Sequence, residues 1–169
     1  MNHFPNVGDM IHIFFMFHWK ISEVYGKLMN KIRKEGIIMN YLLVSPNFPI
    51  SQESFARKLV EKGVRVLGIG SENYDNLTDG LKNSLTEYYK VNDLENYEEV
   101  LRGVAFLIYK HGVIDRVESN NEYWLTLDSI IREQFNIPGV KPKNLDFTKY
   151  KSKMKERFIK AKVPVAKGR

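Results

Sequence analysis

Cysteine is absent from the 169 residues. Its absence excludes disulfide bonds, a thiolate metal site and a cysteine nucleophile, and it is compatible with the cytoplasm, which we predict as the location. The residue pattern also contains no serine triad, no metal-binding cluster and no P-loop. We therefore predict no catalytic residue and no metal ligand in this chain.

A long hydrophobic run is missing as well. The most apolar stretch, from Met10 to Trp19, is interrupted by His12 and His18 and is too short to cross a bilayer. It lacks the cationic start and the small-residue cleavage site of a signal peptide. The sequence therefore predicts no membrane partner.

Positive charge is scarce in the middle of the chain, although the total net charge is +6. Lys and Arg outnumber Asp and Glu by 5 to 3 in residues 1–38 and by 11 to 2 in residues 141–169, whereas residues 39–140 carry 10 against 15. A nucleic-acid-binding domain normally carries its basic face on the folded body. Because the excess lies in the tail, we predict no nucleic-acid partner.

Residues 1–38 differ in pattern from the rest, and we predict that they are a leader translated from upstream sequence. Residues 33–36, RKEG, can be encoded by a purine run that contains AAGGAGG, a bacterial ribosome-binding site, and Met39 follows shortly after. This hypothesis makes Met39 the true start.

Short apolar strands alternate with amphipathic helices from Met39 to residue 140. Ser51 and Asn96 are the expected N-caps of two of these helices. Strands separated by helices imply an open parallel sheet, so we predict one α/β domain over 39–140. It is a Rossmann-like sheet of about four strands with helices on both faces. The predicted strands are 41–45, 64–69, 87–91 and 113–117, and the predicted helices are 51–61, a short one within 73–84, 97–110 and 122–135.

Ligands bind at the carboxyl ends of the strands in such a sheet. The predicted substrate-binding residues therefore follow the first, second and fourth strands: Asn47, Ser71, Glu118, Asn120, Asn121 and Glu122. Two interpretations of 118–122 stay open. These side chains could orient a polar acceptor, or Asn120 or Asn121 could cap the next helix while Glu122 complements its dipole.

The glycine pattern argues against a dinucleotide site. A G-x-G-x-x-G motif would be needed after the first strand, where the sequence is SPNFP. Gly68-Ile69-Gly70 follows the second strand instead, and we interpret it as a turn requirement.

The tail, 141–169, is a basic segment with a helical pattern from Lys149. Its apolar residues recur at helical spacing, so the helix has a face that needs a partner. We expect self-association through this exposed C-terminal helix. The face consists of Tyr150, Met154, Phe158 and Ala161.

Five segments resemble, in order and spacing, the start of ATP-grasp proteins, in particular carboxylate–amine ligase-like members related to the large subunit of carbamoyl-phosphate synthase. The resemblance covers about 130 residues and leaves out 1–38. The segments are MNYLLVSPNFP (39–49), VRVLGIGSENYD (64–75), SLTEYYKVNDLENYEEV (84–100), DRVESNNEYWLTLDSIIREQFNI (115–137) and KYKSKMKERFIKAKVPVA (149–166).

The resemblance implies a pre-ATP-grasp domain that helps bind a small-molecule carboxylate or amine substrate, followed at 141–169 by the first, incomplete part of an ATP-grasp domain. Such ligases use ATP and magnesium to form an acyl phosphate, from which an amine displaces phosphate. Lys151 falls where the family places its first ATP-phosphate lysine, although a solvated charge is the plainer interpretation. Lys162 departs from the family, which usually has glycine at that helix end.

The family's second nucleotide lysine, glycine-rich lid and magnesium ligands would lie beyond Arg169. The expected function is thus the N-terminal part of an ATP-dependent carboxylate–amine ligase, inactive alone. The alternative is a stand-alone Rossmann-like module that binds a small metabolite and carries a basic tail.

The first prediction concerns catalysis by the 169-residue chain itself. Since positioning supplies much of phosphoryl-transfer catalysis, we expect no ATP-dependent release of phosphate in a colorimetric phosphate assay. Phosphate release that disappears in Lys151→Ala would contradict this expectation.

Overall fold

The computed structural model describes residues 38–165, and all of them except Ile38 belong to one compact unit that begins at Met39. The predicted leader therefore lies outside the described residues, apart from its last position. Among the described helices, none combines the length and apolarity needed to span a bilayer.

Four parallel strands form one sheet in the order β3-β2-β1-β4. The strands are β1 (Asn40–Val44), β2 (Arg65–Gly70), β3 (Glu87–Lys90) and β4 (Arg116–Glu118). β1 lies between β2 and β4 and all five of its residues are buried. The predicted open parallel sheet is confirmed.

Six α-helices connect and follow the strands in the described part of the chain. Two short 3₁₀ turns, Tyr74–Asn76 and Glu122–Trp124, precede α2 and α4. The helices are α1 (Gln52–Glu61), α2 (Asp79–Ser84), α3 (Tyr97–His111), α4 (Leu125–Gln134), α5 (Pro142–Lys149) and α6 (Lys151–Lys160).

The order of the strands determines which helices share a face of the sheet. The connections from β1 to β2 and from β2 to β3 run in one direction, whereas the connection from β3 to β4 runs back across the sheet. Because such crossovers are right-handed, α1 and α2 cover one face and α3 covers the other. In agreement, α1 packs against α2, and α3 packs against α4.

Apolar side chains of the strands and of α3 and α4 form the core. Its fully buried members include Leu42 and Ile69 on the two central strands, Leu107 on α3 and Ile131 on α4. The helical periodicity predicted the inward-facing positions Leu107 and Ile131, because residues three and four apart lie on one face of a helix.

The fourth strand begins three residues later than predicted, at Arg116 instead of Val113. The cause is Asn40, a buried residue whose amide nitrogen donates to the carbonyls of His111 (2.9 Å) and Val113 (2.8 Å). The Asn40 backbone N–H also donates to the Asp115 carboxylate at 2.8 Å. Residues 113–115 are therefore held next to β1 by hydrogen bonds to Asn40, and regular strand pairing starts only at Arg116.

Gly68 and Gly70 lie inside β2, so the interpretation of Gly68-Ile69-Gly70 as a turn was wrong. Both glycines make room for the ring of Tyr88 on β3. A Cβ at Gly70 would stand 2.6 Å from the Tyr88 hydroxyl, which donates to the carbonyl of Glu72 at 2.9 Å. Burial raises the pKa of Tyr88 to about 12.

The helix caps agree with the sequence in one of two cases. Asn96 accepts a hydrogen bond from the Glu99 backbone N–H at 3.2 Å and caps α3 as predicted. Ser51 precedes α1 with helical backbone angles and makes no side-chain capping bond, so the predicted capping role was wrong.

The basic tail forms two helices with a break at Tyr150, where one helix was predicted to start at Lys149. The Arg157 guanidinium stacks 3.7 Å from the centroid of the Phe147 ring and ties α6 to α5. α5 in turn packs against α4.

Lys162 ends α6 in a conformation that glycine usually supplies. Its φ of 58° is left-handed, and its backbone N–H donates to Ile159 while that of Val163 donates to Phe158. These two bonds form a Schellman motif, whose left-handed position glycine occupies without steric cost.

The packing role of Asn40 generates a stability prediction. Asn40→Ala removes the donor to the Val113 carbonyl and leaves the His111 carbonyl with only the Arg65 guanidinium, at 3.3 Å. We therefore expect it to lower the free energy of unfolding by about 2 kcal/mol in urea denaturation. The control is Asn83→Ala, because Asn83 is exposed on α2 and makes no hydrogen bond through its side chain with the described residues. Equal losses in the two variants would contradict the role of Asn40.

Candidate functional site

The candidate site lies at the carboxyl ends of β1 and β4, where the sheet reverses its order. From β1 the chain continues to β2, which pairs with one edge of β1. After β3 the chain crosses back over the sheet, and β4 pairs with the other edge of β1. The loops that follow, Ser45–Pro49 and Ser119–Asn121, therefore diverge to opposite faces of the sheet. We call this point of reversal, with its two loops, the β1/β4 crevice. Open α/β sheets bind ligands at such a point.

Each loop contains a residue with left-handed backbone angles that is not glycine. Ser45 has a φ of 52° and follows β1, and Asn120 has a φ of 51° and follows β4. Serine adopts this conformation rarely, and residues held in it often occur where a protein binds a ligand. Asparagine tolerates it better.

The buried side chain of Gln52, at the start of α1, joins the two loops. Its amide nitrogen donates to the Ser119 carbonyl, and its amide oxygen accepts from the Asn120 side-chain nitrogen at 3.0 Å. Only 1% of Gln52 is exposed to solvent. Because both halves of the amide are used, Gln52 fixes the start of α1 relative to the loop after β4.

Asp128 on α4 binds Ser119, the first residue of the loop after β4. One oxygen of its carboxylate accepts from the Ser119 backbone N–H at 3.0 Å and from the Ser119 hydroxyl at 2.7 Å. Asp128 is completely buried, and its other oxygen, Oδ1, has no hydrogen-bond partner. Burial raises the pKa of Asp128 to about 6, although the Ser119 hydrogen bonds and the charge of Arg132 act in the opposite direction.

Arg132, one turn after Asp128, continues the same network. Its Nη2 donates to the Val117 carbonyl at 2.7 Å and pairs with a Glu118 carboxylate oxygen at 2.8 Å, and it lies 4.0 Å from Asp128. The Nε of Arg132 is buried without a partner. The two residues thus fix the end of β4 and the loop after it relative to α4.

A cavity of about 590 Å³ lies beside the loop after β1, between that loop and α2. Its wall includes Asn47 and the exposed side chains of Phe48 and Ile50. Two carboxylates also line it, and both are engaged: Glu53 accepts from the Thr78 hydroxyl, and Glu72 accepts from Asn76 at 2.8 Å. The hydrogen bond from Asn76 is the main cause that lowers the pKa of Glu72.

The structure gives the predicted site residues different surroundings: some are open to solvent near the crevice, and others are engaged in hydrogen bonds or ion pairs. Asn47 and Asn120 border the two sides of the β1/β4 crevice, and Ser71 is exposed at the end of the neighbouring strand β2. Glu118 is occupied by Arg132. Asn121 caps the 3₁₀ turn by accepting from the Tyr123 N–H at 2.9 Å, which is the capping interpretation of this loop.

Glu122 and Lys151 lie apart from the crevice contacts. Glu122 borders a second cavity, next to α3 and α4. Lys151 is the first residue of α6, and it is exposed without a hydrogen bond or ion pair to the described residues. The predicted binding roles of these residues stay predictions.

Gln52, Asp128 and Arg132 were missed by sequence reasoning. The spacing of Asp128 and Arg132, four residues apart in a helix, indicates an ion pair, but it indicates an exposed one equally well. No local signal marks Gln52, since its partners follow 67 and 68 residues later.

The described residues fit a nucleotide only in part. The unpaired ammonium of Lys151 suits a phosphate contact. No group of three His, Cys, Asp or Glu side chains within 38–165 is arranged to hold a metal ion. We therefore assign no magnesium-dependent step to these residues.

Comparison with known proteins supports the fold. No protein-family model and no curated protein matches the sequence. Among solved structures, the chain is similar to the L-amino acid ligase from Bacillus licheniformis, with a TM-score of 0.52 and 14% sequence identity. The match covers 75% of this chain and 31% of the ligase chain. The likeness shows the fold alone, and it supports the ATP-grasp resemblance at that level.

The buried carboxylate generates a prediction of pH dependence. The folded-state pKa of Asp128, about 6, lies above its ordinary value of 3.8, so the folded protein binds the proton more tightly than the unfolded chain does. The stability that this group contributes is therefore present below pH 4 and is lost as the pH rises through 6, by up to about 3 kcal/mol.

Asp128→Asn isolates this contribution. An asparagine oxygen can accept both Ser119 bonds, and its nitrogen takes the place of the unpartnered Oδ1. In urea denaturation at pH 4 and pH 6, we expect the variant to lack the decline in unfolding free energy that Asp128 contributes in the parent chain, where groups such as Glu87, whose pKa is lowered, contribute in the opposite direction. Asp75→Asn, at an exposed position, keeps that decline. A decline that persists unchanged in Asp128→Asn would contradict the assignment.

Proposed function

We propose that the described unit is the substrate-binding part of an ATP-dependent ligase that joins a carboxylate to an amine through an acyl phosphate. The observation that carries this proposal is the β1/β4 crevice, where buried Gln52, just after the loop that leaves β1, bonds to two residues of the loop that leaves β4. The fold likeness to an L-amino acid ligase supports this reaction class.

The chemistry of the crevice suits a small polar substrate. The Asn47 and Asn120 amides can each donate and accept, so they can orient either a carboxylate or an amine. The Asn120 amide already donates to Gln52, which leaves its oxygen to accept from an amine substrate. In this proposal Ser71 adds a hydroxyl from the end of β2, and Glu118 acts through Arg132 to support the loop.

Lys151 completes the proposal on the nucleotide side. ATP with magnesium supplies the phosphoryl group, and the proposed part of Lys151 is to contact a phosphate oxygen. In our proposal residues 39–165 position substrate and do not transfer a phosphoryl group by themselves. In the same proposal, the residues that bind magnesium belong to parts of the ligase outside the described residues.

Binding of amino acids to the full chain tests the proposal. The probes are single L-amino acids at millimolar concentration, and the readout is the shift of backbone amide signals in ¹⁵N–¹H NMR spectra. We expect saturable shifts for residues 45–49 and 119–121. A panel without any shift at these loops would overturn the substrate role.

The matched variants are Asn120→Gly and Asn136→Gly. Both asparagines have left-handed angles, φ 51° and 52°, so glycine keeps the backbone in each case. Asn136 follows α4 and belongs to neither crevice loop. Asn120→Gly also removes the hydrogen bond from Asn120 to Gln52. We expect it to weaken amino-acid binding by at least about tenfold, which corresponds to one lost hydrogen bond to a charged group, and Asn136→Gly to leave binding unchanged.

A nucleotide titration separates the ligase from the stand-alone binding module. With a non-hydrolysable ATP analogue and magnesium, the ligase proposal expects shifts at the start of α6 that Lys151→Ala abolishes. Shifts that persist unchanged in Lys151→Ala would contradict the ligase arrangement and favour the stand-alone module with its basic tail.

A further inference from the structure

A second cavity, of about 800 Å³, lies at the same edge of the sheet but on the face covered by α3 and α4. Its wall joins the segment before α3 to the 3₁₀ turn before α4. We call it the α3/α4 cavity. It is separate from the crevice loops, and the inference drawn from it does not depend on the proposed ligase function.

Aromatic rings form much of this wall. Tyr97 is 39% exposed and Tyr123 is 64% exposed, although both are large side chains that gain free energy from burial. Trp124 lies beside them, with its ring edge-on to that of Tyr123 at a centroid distance of 4.7 Å. The three rings therefore present open aromatic surface to the cavity.

Carboxylates border the same cavity. Glu95 accepts a hydrogen bond from the Tyr123 hydroxyl. Glu122 makes no hydrogen bond through its side chain and no ion pair with the described residues. The pKa of Tyr123 is raised chiefly by its hydrogen bond to Glu95 and further by the charge of that carboxylate, which is consistent with a negative potential in the cavity.

Lys149 is the cation that borders the cavity, and it does not neutralise these carboxylates. Its ammonium donates to the Thr126 hydroxyl at 3.1 Å, and it has no carboxylate partner within 4.0 Å among the described residues. Two carboxylates against one ammonium leave the cavity with an excess of negative charge.

Helix capping does not account for the carboxylates. The first turn of α3 is capped by Asn96, and the 3₁₀ turn before α4 is capped by Asn121. Glu95 and Glu122 are therefore not needed to satisfy those backbone N–H groups.

We propose that the α3/α4 cavity binds an organic cation, namely a primary ammonium or guanidinium group on a short aliphatic chain. The cation would lie against the faces of Tyr97, Tyr123 and Trp124, where the ring quadrupoles attract positive charge. Glu122 would supply the ion-pair partner, and the aliphatic chain would cover exposed ring surface.

The fluorescence of Trp124 reports occupancy of the cavity directly. The chain has two tryptophans, and the other, Trp19, lies outside the described residues. Trp19→Phe therefore makes Trp124 the sole tryptophan of the full chain. The probes are n-butylammonium, n-butanol and n-butyrate, which share the aliphatic chain and differ in charge.

We expect a saturable change of Trp124 fluorescence with butylammonium and none with butanol or butyrate at the same concentrations. An equal response to butanol would overturn the proposal, because the cavity would then bind only the apolar chain. A response to butyrate instead would overturn it in favour of an anion site at Lys149. Absence of any response would also overturn it.

Matched variants test the two parts of the recognition separately. Glu122→Gln should weaken butylammonium binding about fivefold, as expected for loss of one exposed ion pair, whereas Glu133→Gln, an exposed change on α4 outside the cavity, should not. Tyr97→Leu keeps an apolar side chain but removes the π face, and we also expect weaker binding. Circular dichroism of each variant verifies folding. Unchanged binding in both cavity variants would contradict the assigned site.

Discussion

The amide of Gln52 connects the parts of the structure on which the candidate site depends. It lies at the start of α1, immediately after the loop that leaves β1, and it bonds to two consecutive residues of the loop that leaves β4. These loops belong to neighbouring strands whose connections run in opposite directions across the sheet. A buried amide with an unused donor or acceptor costs free energy, so both loops are held where Gln52 is satisfied.

Hydrogen bonds of Asp128 and Arg132 tie the end of β4 and its loop to helix α4. Asp128 and Arg132 bind the backbone of residues 117–119 from one turn of α4, and Asn121 and Ser119 complete the loop through local hydrogen bonds. Asn120 is then left in a left-handed conformation with its side chain directed to Gln52. Preorganisation of this kind lowers the entropy that a loop loses when it binds a ligand.

The β1/β4 crevice and the α3/α4 cavity lie at the same edge of one sheet but differ in chemistry. The β1/β4 crevice offers neutral amides, which suit a small polar substrate. The α3/α4 cavity offers aromatic faces with carboxylates, which suit a cation. The reversal of strand order produces this division, because it places the helices that follow β1 and β3 on opposite faces while their N-termini remain at the same edge.

The sequence alone was sufficient for the fold class and for most elements, because alternating strand and helix periodicities and the cap at Asn96 act over a few residues. It also identified the strand ends at which Asn47 and Asn120 lie. It could not show that β4 starts only at Arg116, that Gly68 and Gly70 make room for Tyr88, or that Gln52 and Asp128 support the crevice. Those outcomes depend on pairs such as Asn40 with Val113 and Gln52 with Asn120, which are about 70 residues apart and meet only when the sheet has formed.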